Sequence, residues 1–106
     1  MPSHCFLFTY SVSPLNTNHK VVEQADKVRK KIAELNQWTK LDSVETTFVG
    51  ELYLVESTLD GKRREAENDV TNVLKDLLDE MDAYSSVWVD VALLVDGLGE
   101  HIEFKV

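Results

Sequence analysis

Three histidines, one cysteine and nineteen carboxylates are the residues of this chain best able to do chemistry, and their spacing decides which chemistry is open to them. His4, His19 and His101 fall in a strand start, a helix start and a later strand, without the paired spacing of a metal site. Cys5 cannot form an internal disulfide and lies in the strand-like run "HCFLFTY", where a small buried hydrophobe is the expectation. No GxSxG, GxxxxGK, CxxC or GxGxxG pattern occurs, and "DGLG" reads as a turn. No catalytic residue, metal ligand or cofactor is therefore assigned. Asp76, Asp79 and Glu80 share a helical face, but three carboxylates on one straight helix rarely surround an ion, so a solvated acidic face is expected. The one candidate ligand site is an anion site at "DGKRRE". There Gly61, Lys62, Arg63 and Arg64 would bring free N–H groups and side-chain charge together at a helix start.

These residues must be held by a single domain of 106 residues, long enough to bury a core without disulfides. The longest unbroken apolar run is Val91 to Val95, far below the roughly 20 residues of a membrane span. The first ten residues lack the basic start and small-residue cleavage site of a secretory signal, and a cytoplasmic location is the expectation.

The order of elements follows from periodicity. "HCFLFTYSV" is aromatic and β-prone, with apolar residues on both alternating faces, as in a central strand covered on both sides. Thr17 or Asn18 can cap a helix over 19 to 37, whose face is formed by Val21, Ala25, Val28, Ile32 and Leu35. "SVETTFVGELYLVES" keeps strand alternation through Gly50, which predicts one long strand with a bulge at the glycine. A second helix over 62 to 83 carries Ala66, Val70, Val73, Leu74, Leu77 and Met81 on one face. "SVWVDVALLV", "DGLG" and "EHIEFKV" form a hairpin whose four-residue loop sets Val95 opposite Glu100 and Asp90 opposite Lys105. The expected fold is α+β, a two-layer α/β sandwich in the order β-α-β-α-β-β, with two helices on one face of a four-stranded mixed sheet. If the chain turned at Gly50, the order would begin β-α-β-β-α-β, the ferredoxin-like alternative, with an additional strand at the C-terminal end.

Such a sheet leaves one face uncovered. Val49, Tyr53, Val55, Trp88, Ala92 and Leu94 are assigned to that face, and an apolar surface of this kind predicts association, in the first place with a second copy. Net charge is −8, distributed unevenly: residues 1 to 64 hold nine Lys/Arg against eight Asp/Glu, residues 65 to 106 two against eleven. Nucleic acid is disfavoured by this balance, and a basic protein partner is favoured.

"SVETTFVGEL" resembles the "SVFEGEL" segment of the small CRISPR-associated nucleases and their VapD-like relatives, through Phe48, Gly50, Glu51 and Leu52. The preceding strand and helix are of similar size. The resemblance implies a ferredoxin-like dimer. In those nucleases an Asp of the first strand, next to a Tyr, binds the metal; here Ser11 follows Tyr10, a poorer ligand for a divalent ion.

Two functions from different classes follow. The first is a small acidic, non-enzymatic interaction protein, a homodimer that binds a basic protein in the manner of inhibitor, antitoxin or immunity proteins. Its rival is a nuclease-like or small-ligand protein using some of Tyr10, Ser11, Glu51 and Asp90.

Overall fold

The computed structural model describes residues 3–106 and contains two helices and a five-stranded antiparallel sheet. Strand β1 (Ser3–Pro14) buries Phe6, Phe8, Tyr10 and Val12 and turns the intervening residues outward. Asn18 caps helix α1 (His19–Ala33), its side-chain oxygen accepting from the Lys20 N–H at 2.9 Å. Ala25, Val28 and Ile32 are the buried face of α1. The helix ends before the expected residue 37. Leu35 N–H closes onto Ile32 O, and the chain leaves the helix axis so that Trp38 meets Phe6 and Phe8 edge-on, with centroids 5.6 and 5.2 Å apart.

The main correction to the expected fold follows directly. Strand β2 (Thr39–Lys40) and strand β3 (Thr47–Tyr53) form a hairpin, with Thr39 opposite Val49 and Lys40 opposite Phe48. The chain thus reverses through residues 41–46, where Leu41 N–H bonds Thr47 O; a single strand does run through Gly50 without a turn, but only over Thr47–Tyr53. Gly50 sits in an unbroken ladder opposite Phe6, without a bulge. Because β2 reverses the chain before β3 enters the sheet, β3 runs antiparallel to β1; a direct helical crossover would have made it parallel. The sheet is consequently antiparallel and five-stranded, not mixed and four-stranded, in the order β2-β3-β1-β4-β5.

Helix α2 (Leu59–Glu80) starts three residues earlier than expected, because Thr58 caps it by accepting from the Gly61 N–H at 2.9 Å. It also stops earlier. Asp82 adopts φ 53°, Asp82 N–H bonds Asp79 O and Ala83 N–H bonds Leu78 O, a left-handed helix end sealed by the buried Leu78 and Ala83.

Strands β4 (Val87–Val95) and β5 (Ile102–Lys105) pair in the register the sequence predicts, Asp90 opposite Lys105 and Ala92 opposite Glu103. The ladder stops at Leu93 and Ile102, however, so Val95 has no partner in Glu100. Val95 O instead accepts from the Leu98 N–H at 3.1 Å, and the Arg63 guanidinium draws the intervening loop toward α2 by donating to Leu98 O and Glu100 O. Gly97 and Gly99 take φ values of 82° and 86° in that loop. Among the described residues no helix is long and apolar enough to cross a membrane.

Candidate functional site: the open sheet face

The side chains that alternate away from the core form one open face of the sheet. Leu7 of β1 lies opposite Val49 on one side and Leu94 on the other, giving an apolar row across three strands. Leu7 is 39%, Leu94 50% and Tyr53 64% exposed, large values for apolar groups on ordered strands. Val55 is exposed too, just beyond the end of β3, where its N–H is held by the Glu65 carboxylate at 2.9 Å. Ala92 is half-buried beside Thr9.

Trp88 is less available. Its indole N–H donates to Asp90 Oδ2 at 3.1 Å, and Lys105 Nζ stands 4.6 Å from the ring centroid and 3.8 Å from Asp90 Oδ1. This trio closes one end of the face with a cation–π and charge contact. Between it and the apolar row lies a shallow groove of about 600 Å³ formed by β1, β4 and β5, lined by Thr9, Ser11, Asp90, Ala92, Glu103 and Lys105. Glu51, Asp90 and Glu103 outnumber Lys105 as the charged strand residues of this face, so the apolar row has an acidic border.

Two residues depart from the expectation that β1 is covered on both sides. Cys5 is exposed and not buried, since odd positions of β1 point to the open face. Leu7 belongs at the centre of the face, and the same odd-position alternation is the signal that could have placed it there.

Gly61, Lys62, Arg63 and Arg64 do not assemble an open anion site. The Gly61 N–H is occupied by Thr58 Oγ1, and Lys62 N–H bonds Thr58 O within the helix. Arg63 is committed to the β4–β5 loop. Exposed Arg64 borders a hollow of about 470 Å³ over Ile102, together with Asp60 and Glu67, whose carboxylates offset its charge.

Of the residues of the nuclease-like reading, only Ser11 and Asp90 meet on the open face. Tyr10 is buried on the helix side, Ser11 faces Asp90 across the β1–β4 ladder, and Glu51 lies six positions up β1 from Ser11, opposite Cys5. Burial raises the Tyr10 phenol above its ordinary value, opposed by Arg29 and reinforced by Glu45. Among the described residues no group of three or more His, Cys, Asp or Glu is placed to hold a metal ion.

Fold and face together define a small antiparallel α+β domain with an uncovered, acid-bordered sheet surface. Comparison with protein-family models, with curated proteins and with solved structures gives no match for this chain.

Proposed function

We propose that the chain is a ferredoxin-like, two-layer interaction domain extended by β5, whose open face binds a protein carrying an apolar patch edged by basic residues. The observation that carries this reading is the row Val49–Leu7–Leu94, exposed at its centre and bordered by Glu51, Asp90 and Glu103. Burying the apolar row supplies affinity at roughly 25 cal/mol per Å², while the surrounding carboxylates select the sign of the partner. A second copy of the same face would set carboxylates against carboxylates, so a basic protein fits better there. Inhibitor, antitoxin and immunity proteins work in this way, by combining apolar contact with charge complementarity. The test is affinity capture with the native chain and with a Leu7→Ser/Leu94→Ser variant. The expected result is a basic protein retained by the first and lost by the second; partners of acidic character, or equal retention by both, would overturn the reading.

The groove over Ser11 and Asp90 supports a second reading, a small polar ligand held by hydroxyls and carboxylates. Cleavage of RNA or DNA that requires Mg²⁺ and disappears on Asp90→Ala would favour the nuclease-like form of that reading instead.

A further inference from the structure

Strand β5 is the longer of the two sheet edges, four residues against two in β2. Val106 and Val89 exchange both main-chain hydrogen bonds, at 2.8 and 3.2 Å. Along an antiparallel ladder this pattern alternates, so Phe104 and Ile102 also bond inward to β4, while the N–H and C=O of Glu103 and Lys105 point outward with no strand beside them. On the helix side of the same edge Ile102, Phe104 and Val106 are only half-buried. Beneath α2, Ile102 floors an open hollow bordered by Asp60, Arg63, Arg64 and Glu67.

We infer that a second copy of this chain docks on this edge, β5 against β5, antiparallel about a two-fold axis centred on Phe104. Among registers within two residues of one another, this one alone sets opposite charges together. With Glu103 opposite Lys105 of the second copy, each outward N–H and C=O finds a partner, and two symmetry-related opposite-charge pairs form on the open face. A shift of two residues one way sets Glu103 against Glu103, and the other way sets Lys105 against Lys105. In the favoured register Phe104 meets Phe104 and Val106 of one copy lies beside Ile102 of the other, covering the hollow under α2. Lysine on an edge strand commonly discourages pairing with foreign strands. Here it has a matching glutamate two residues away, so the edge refuses most strands and accepts its own. The two sheets become one continuous sheet, and the open faces lie side by side, free for other contacts.

Sedimentation equilibrium on the full chain over a range of concentrations tests this, with the expected result a monomer–dimer equilibrium. Lys105→Glu should weaken the dimer roughly tenfold, because both cross-copy pairs become repulsive. Glu103→Lys combined with Lys105→Glu should restore it. Both variants lose the internal Lys105–Asp90 contact and the double one also loses the exposed His101–Glu103 contact, so restoration cannot come from either. Amide exchange on the unaltered protein gives an independent reading: Glu103 and Lys105 N–H groups should be protected at high concentration and fast on dilution. A monomer at every concentration, a double variant as weak as the single one, or fast exchange at both amides throughout would overturn the inference. None of these results depends on Leu7 or Leu94, so they separate this edge from whatever the open face binds.

Discussion

Gly50 illustrates how a single missing carbon shapes this core. A Cβ there would meet Phe6 Cε2 at 3.0 Å, Phe6 Cζ at 3.1 Å and Trp38 Cδ1 at 3.1 Å, and those rings are held in turn by Phe8 and Phe48. The glycine is therefore a seat for two aromatic rings within a regular strand. Gly50→Ala should cost about 1–2 kcal/mol by forcing the rings off their packing, read as a lower urea midpoint with unchanged slope. Asp69 is a residue of the opposite kind, destabilising in its native form. Partial burial, reinforced by the Glu65 carboxylate, raises its pKa above the ordinary 3.8. The folded state thus holds the proton more tightly than the unfolded state. The penalty is present at neutral pH, shrinks as pH falls through the raised value, and is gone below 3.8. Asp69→Asn should accordingly stabilise the protein at neutral pH and give no advantage in acid, a difference visible in urea midpoints across pH.

Arg63 shows what an element needs beyond its own sequence. One nitrogen of its side chain donates to Leu98 O at 2.7 Å and Glu100 O at 2.6 Å, fixing the start of α2 to the β4–β5 loop. Arg63→Ala should lose about 1.5–3 kcal/mol, the range for charge-assisted hydrogen bonds, and speed amide exchange across residues 96–101. Arg63 looked like an anion ligand in sequence because a basic run at a helix start carries no mark of the carbonyls it will meet. Other elements were legible. Four- and three-residue spacing located both helices, and the Asp90–Lys105 register followed from the four-residue DGLG loop together with alternation. Strand β2 was not legible, since two residues cannot display a period. That short reversal changes β3 from parallel to antiparallel, so the smallest element decides the topology. The open face was half legible for a related reason: Val49, Tyr53 and Leu94 were placed by alternation, whereas an apolar Leu7 and Cys5 suggested cover on both sides of β1.

At the scale of the whole molecule, the acidic second half divides between two surfaces. Asp90 and Glu103 border the open face, and Asp76, Asp79 and Glu80 stand exposed on α2. Charges spread in this way act at a distance. They raise the rate at which a basic partner arrives, over a range that salt shortens from about 10 Å at 0.1 M to about 3 Å at 1 M. Leu7 and Leu94 act only on contact, and so govern how long the partner stays. The two roles should separate in surface-plasmon-resonance measurements on a captured partner. Glu51→Gln and Asp76→Asn should slow association and flatten its salt dependence, with little change in dissociation. Leu94→Ser should speed dissociation about tenfold while leaving association and its salt dependence in place. Because Leu94 is half exposed, that substitution should also keep stability within about 0.5 kcal/mol of the unaltered chain, which an unfolding curve measured alongside will verify. If Leu94→Ser changes neither rate while Asp76→Asn slows association, the apolar row is not in the contact and the partner meets the acidic side of α2 instead.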